Sequence, residues 1–200
     1  MKICDVTLAS TAPYSQSRAH NIPREAKESA DDHEKRTWRN RLHADAEGRV
    51  FIPPMALKGC LAEAAKFTGK QIPGRGKSTY TKHFEAGILV QDGPLLHGPD
   101  GKPILAEEVE GKWFFLNADG VRGSGKRVWK CQPDIPAWTA EARFYVIDDT
   151  ITEQVFEETL AEAGNFIGIG RFRPRNGGYY GRFAIESIGW LEAETARAAE

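Results

Sequence analysis

The stretch that most constrains this chain is residues 164–183, GNFIGIGRFRPRNGGYYGRF. Six of its twenty residues are glycine, four are arginine and none is acidic. Glycine lets a backbone approach another surface closely or take positive φ, so a run this rich in it reads as a shaped loop. Arginine offers a planar fork that binds phosphate and stacks on bases. Interleaved with the arginines are Phe166, Phe172, Tyr179, Tyr180 and Phe183, and aromatic rings are stacking platforms for single-stranded nucleic acid. Arg171, Arg173, Arg175, Tyr179, Tyr180 and Arg182 are therefore candidate RNA contacts. The competing reading is a glycine-rich hairpin whose rings are core and whose arginines are solvated.

The chain as a whole carries a net charge of −1 over 200 residues, so an anion-binding surface has to be local. The length suits a single domain, residues 1–200, with insertions at about 10–48 and 70–130. The three cysteines, Cys4, Cys60 and Cys131, form no CxxC, which argues against a disulfide framework or a cysteine-rich zinc site. The opening MKICDVTLAS is too polar for a signal peptide, and no apolar run of about 18 residues occurs to span a membrane. A cytoplasmic protein with no membrane partner, metal or cofactor is expected.

Residues 2–9 alternate as a strand. A long polar segment, 10–47, follows; a short charged helix is possible in its middle, but a functional loop is the preferred reading. Residues 49–52 read as a short strand running into Pro53 and Pro54. Prolines suit the first turn of a helix, and Leu57, Cys60, Leu61, Ala64 and Ala65 share one face of it, with Gly69 ending it. Residues 70–83 read as a basic loop, 87–90 as a strand, 113–116 and 128–131 as a hairpin around a basic loop, and 138–147 as a strand. Residues 152–163 form a helix capped by Thr152 and stopped by Gly164. A strand over 181–190 closes the chain. This near-βαββαβ order points to an α+β fold of ferredoxin-like (RNA-recognition-motif-like) type with inserted loops or hairpins.

Other basic residues join the candidate site. Lys58 lies where a helix start offers free backbone N–H groups to an anion. Lys35, Arg36, Arg39 and Arg41 surround Trp38 in residues 33–49, although Glu34, Asp45 and Glu47 dilute that charge. Arg75 and Lys77 lie in GRGKST, which fails as a phosphate loop because Gln71 stands where its first glycine belongs. Arg122, Lys126 and Arg127 occupy the hairpin loop. For metal-independent cleavage of RNA, His20, His33, His43 or Tyr14 could supply an acid or base, and no spacing selects among them.

Residues 51–59, FIPPMALKG, and the glycines at 164, 168, 170, 177, 178 and 181 together resemble two signatures of the repeat-associated (RAMP) superfamily, best of all the crRNA-binding backbone subunit of CRISPR effector complexes. The resemblance implies a ferredoxin-like palm with projecting elements. It also implies guide RNA, further copies of the same chain and other CRISPR effector subunits as partners. Pro54 and Met55 stand where the family has glycine and serine. Some family members cut target RNA with an acidic residue in the loop before this helix. Here the matching register falls nearer Arg39 than Asp31, Asp32 or Asp45, which implies a non-catalytic subunit. The alternatives are an endoribonuclease that processes guide RNA and a mimic that binds CRISPR subunits.

Overall fold

The computed structural model describes residues 1–118 and 125–192. Strand β1 (Lys2–Ser10) turns Cys4, Val6 and Leu8 into the core. The polar segment that follows is not all loop. Helix α1 (Ala30–Thr37) forms in it and continues as a 3-10 turn, Trp38–Arg41. Ser29 Oγ accepts the Asp32 N–H at 3.1 Å, with acidic Asp31 and Asp32 in the first turn and basic Lys35 and Arg36 in the last. A side-chain cap and charges that oppose the helix dipole thus make a helix of a sequence with almost no apolar stripe.

Residues 49–52 make isolated bridges, Arg49 with Leu105 and Phe51 with Leu95, rather than a strand of the main sheet. Helix α2 (Pro54–Thr68) starts on proline and ends at Gly69 in the left-handed conformation. Its buried residues are Leu57, Cys60, Leu61, Ala64 and Ala65, the face expected from spacing. Helix α3 (Thr81–Ala86) leads into the two-residue strand β2 (Ile88–Leu89). Strands β3 (Glu110–Asn117) and β4 (Arg127–Asp134) pair as a separate antiparallel hairpin. Then come β5 (Thr139–Val146), α4 (Glu153–Glu162) and β6 (Phe183–Glu192).

The main sheet is antiparallel throughout, in the order β2-β5-β1-β6. The protein is therefore α+β. One face of the sheet is apolar and lies under α2 and α4, where Phe156 of α4 meets Phe144 and Trp190 edge-on, both at 5.3 Å between centroids. The other face is polar. Asp5 and Arg143 pair across it at 2.7 and 2.9 Å, Ser187 donates to Thr7 at 2.8 Å, and Glu141 stands beside them.

Thr152 caps α4 by accepting the Val155 N–H at 3.3 Å. Gly164 does not stop the helix: the chain runs on as a π-helical turn, Ala163–Ile167, and leaves at Gly168. Gly164 serves another purpose. A Cβ there would overlap the Phe183 carbonyl oxygen, so the absent side chain lets this turn press directly on β6. Gly59 contrasts with it, because a Cβ on that helical glycine would meet nothing within 4 Å.

Two substitutions separate these roles. Gly164→Ala is expected to lower stability by about 1–3 kcal/mol through overpacking. Gly59→Ala should raise it by about 1 kcal/mol through helix propensity. Urea denaturation of both variants checks the opposite signs.

Candidate nucleic-acid interface

After the π turn, the glycine-rich loop folds back on backbone rather than on side chains. Gly168, Gly170, Gly177 and Gly181 all have φ between 69° and 79°. Cβ atoms on Gly170, Gly178 and Gly181 would collide with the carbonyls of Ser15, Phe172 and Ile169 respectively. The Gly181 N–H donates to Pro13 O at 2.7 Å and the Arg171 N–H to Ser15 O at 2.8 Å, which lays the loop against residues 13–16. Phe172 is held at φ 57°, a region costly for a bulky residue. Its ring is locked against Phe114 of β3 (4.9 Å) and Tyr180 (5.8 Å).

The aromatic residues of the loop therefore divide. Tyr180 and Phe183 are buried, and Tyr180 N–H donates to Phe172 O at 3.0 Å while its hydroxyl takes the Lys112 Nζ at 3.4 Å. The expectation that Tyr180 offers a stacking face is corrected: its ring anchors the loop on the hairpin. Tyr179 and Phe166 remain more than half exposed. Lys112, which sequence reasoning missed, is tied to the loop only by the tertiary fold; its one sequence signal is its place in the KWFFL strand.

Helix α2 forms the neighbouring wall. Cys60 lies under the loop with its thiol toward Gly168 O (3.3 Å) and Ala163 O (3.5 Å), and burial pushes that thiol up to about 12. Glu63 receives both Arg173 and Arg175 at 3.0 Å. These two arginines, read from the sequence as free phosphate contacts, are held on the helix as a carboxylate-bridged pair. Lys58 begins the second helical turn, partly buried, with no ion pair among the described residues. Gly59 lies one turn before Glu63 on the same stripe, leaving bare backbone beside the arginines.

The basic segment around Trp38 has a different role from the one its composition suggests. Trp38 is buried, packed where Gly111 and Cys131 meet, and is not a free stacking surface. Glu34 is only 3% exposed and receives Arg41 Nη1 and Nη2 (2.6 and 3.0 Å), Lys130 Nζ (3.1 Å) and the Cys131 N–H (2.8 Å). Arg41 also donates to Cys131 O at 2.6 Å. The cluster clamps α1 and the 3-10 turn to β4. Desolvation pushes the Glu34 carboxyl up, but Arg41, the Cys131 N–H and Lys130 together outweigh it and hold the group below its ordinary value. Lys35 pairs with Asp32 and Arg36 with Glu28. Arg39 lies over the Trp38 ring at 4.5 Å.

The remaining candidates are dispersed. Arg75 and Lys77 are exposed beyond the C-terminal end of α2, about 15 Å or more along the axis from Lys58 at 1.5 Å per residue. Lys126 and Arg127 are at the hairpin tip, where Arg127 covers the Phe115 ring at 4.9 Å and Phe115 meets Trp129 at 5.2 Å. Arg122 lies outside the described residues. Arg182 is exposed beside the loop's end, where Thr11 N–H donates to its carbonyl at 3.0 Å. Of the acid–base candidates, Tyr14 is buried, His33 Nε2 meets Ile22 O at 2.9 Å, and His43 packs edge-on to Phe51. Among the described residues no group of three or more His, Cys, Asp or Glu side chains is placed to hold a metal ion, and no helix is long and apolar enough to cross a membrane.

No protein-family model matches the sequence, and a search of curated proteins finds no match. Solved structures do match. A chain of the type III-B Cmr-beta complex, bound to cognate target RNA and solved by cryo-EM, aligns with 96% of this chain at a TM-score of 0.50 and 11% identity. Its fold resembles that of a type III-B CRISPR subunit. This chain spans 61% of that subunit's length. Cmr6 from Pyrococcus furiosus, known from a crystal structure, aligns over 92% of this chain and 97% of its own at a TM-score of 0.48 and 13% identity.

Glu34→Gln leaves Arg41 and Lys130 without their buried counter-charge and is expected to cost about 3–5 kcal/mol. The sign of the pH effect follows from the lowered carboxyl. Its stabilisation is complete above the ordinary value of 4.5 and fades as pH falls through the lower folded-state value. Denaturation curves of wild type and variant should therefore converge as the solution is acidified below that window.

Proposed function

We propose that this chain is a non-catalytic guide-RNA-binding backbone subunit of a CRISPR ribonucleoprotein. The observation that carries the reading is the seating of the glycine-rich loop against the first half of α2. There, Lys58, without an ion pair among the described residues, and side-chain-free Gly59 lie on the helix whose Glu63 holds Arg173 and Arg175 of the loop. Bare backbone lets a phosphate chain approach closely, and the cations neutralise it. We read the four-stranded sheet as a ferredoxin-like palm, which the order β2-β5-β1-β6 with α2 and α4 on one face supports. The fold likeness to a Cmr-beta chain supports the CRISPR setting. The polar sheet face, with Asp5 and Glu141, is a poor phosphate surface, so RNA runs over the helix-and-loop edge instead. Copies of the chain assemble side by side along the guide, with other effector subunits at the ends, in the cytoplasm.

A second reading is favoured by one observation: Glu63 occupies both Arg173 and Arg175. A protein that binds CRISPR subunits and little RNA could keep its arginines neutralised in this way. The two readings differ under Glu63→Gln. If RNA is the ligand, freeing the two arginines should tighten binding of single-stranded RNA by about tenfold, the worth of one charge-assisted contact, and steepen its salt dependence. If subunits are the ligand, RNA binding stays negligible.

Lys58→Ala should weaken RNA binding and reduce the salt slope by about one phosphate contact, while stability moves by about half a kcal/mol or less. Filter binding across a salt series, with a melting curve for each variant, checks this. Affinity that is indifferent to salt would rule out a phosphate-dominated interface.

A further inference from the structure

Residues 13–20, the 3-10 turn, β4 and the glycine-rich loop meet in a seam whose polar groups are left incomplete. Buried side-chain atoms without a hydrogen-bond partner include Ser15 Oγ, His20 Nδ1, Gln132 Oε1 and Arg171 Nε. They come from segments that touch: Arg171 N–H reaches Ser15 O at 2.8 Å, Arg18 N–H reaches Arg41 O at 2.9 Å, and Arg41 reaches Cys131 O at 2.6 Å. The charges at the seam do not balance. Arg41, Lys130 and Arg171 are cationic; Glu34 is already committed to Arg41 and Lys130, and Asp134, a second carboxylate where β4 meets the loop, acts on Tyr180.

Arg171 is thus a half-buried guanidinium, stacked over Phe172 at 5.0 Å, with no carboxylate of its own. Burial and then the charge of Arg41 push its pKa down, and Glu34 only partly offsets them. Among the described residues, neither its Nη groups nor His20 Nε2 has a protein partner. A buried charge without a counter-charge is costly, and a bound anion would remove that cost.

We infer that this seam takes up one phosphate group through the Arg171 guanidinium and the His20 ring. As a deepening of the RNA reading, the phosphate is one of the RNA backbone, though a free phosphate has the same chemistry. His20 adds a proton linkage. The groups acting on it are Arg41, His33 and Lys130, which oppose its charge together with burial, and Glu34, which favours it. Burial is the largest effect, and the net result is a ring whose pKa lies below the ordinary histidine value. An anion against the ring reverses that balance, so the anion binds together with a proton and more tightly as pH falls through the histidine range.

Inorganic sulfate is the probe, because its charge is constant across that range. Wild type should be stabilised by sulfate beyond sodium chloride of equal ionic strength. At a sulfate concentration one hundred times Kd, its unfolding constant should fall about a hundredfold. Arg171→Gln should lose this response while matching or exceeding wild-type stability in the absence of sulfate. A merely structural arginine would not give that combination. His20→Gln should keep a weaker response that no longer grows with acidity. In wild type, the NMR titration midpoint of the His20 ring should rise with sulfate, a readout that needs no variant to fold. Equal effects of sulfate and chloride on wild type, a full response in Arg171→Gln, or an unmoved His20 midpoint would overturn the inference. Single-stranded RNA binding, measured on the same proteins, separates the two proposals. RNA binding that is unchanged in Arg171→Gln overturns the seam site and leaves the RNA reading standing. A sulfate response without any RNA binding keeps the seam as a site for free phosphate and removes the RNA reading.

Discussion

The contact on which the rest of the structure depends is backbone against backbone at the glycine-rich loop. Gly164 lies on the carbonyl of Phe183, Gly170 on that of Ser15 and Gly181 on that of Ile169. None of these approaches survives a Cβ. Together they bring the end of α4, the start of β6 and residues 13–16 into one layer. Phe172, strained at positive φ, is the exception that shows the demand. Its ring gains Phe114 and Tyr180 as neighbours, and this packing holds a conformation its backbone disfavours. The loop is rigidly seated, although its composition alone would suit a flexible linker.

A second constraint is electrostatic. Glu34 gathers a guanidinium, an ammonium and a backbone N–H around one buried carboxylate. In doing so it joins a polar helix to a hairpin that shares few apolar residues with it. Three of the four cations around Trp38 are thus matched by the protein's own carboxylates, Arg41 by Glu34, Lys35 by Asp32 and Arg36 by Glu28, whereas Lys58 and Arg171 have none among the described residues. The proposed RNA surface in a chain of net charge −1 rests on such local imbalance. The open sheet face differs from it: it is polar, with Asp5 and Arg143 paired across it.

The strands at 2–10 and 139–146, the face of α2 and the cap of α4 were legible in the sequence, because each rests on local periodicity and capping. Thr152, Pro54 and Gly69 act where their chemistry demands. The α1 helix was less legible: its signals are one serine cap and a charge gradient, without an apolar stripe, and burial of Glu34 and Trp38 depends on a hairpin about ninety residues away. Gly164 was misread for a related reason. A glycine that stops a helix and a glycine that lets a strand press on a helix look identical in one dimension.

By itself the sequence determined the α+β composition, the core face of the main helix and the clustering of glycine, arginine and aromatic residues in one segment. Local propensity and residue chemistry are enough for those. Only the tertiary structure decided which charges remain available. Arg173 and Arg175 were assigned to Glu63, Arg41 to Glu34, and Tyr180 to the hairpin, while Lys58 and Arg171 were left without carboxylates. The physical reason is that a cation's partner is set by distance in space, and every decisive pair here joins separate elements of the fold.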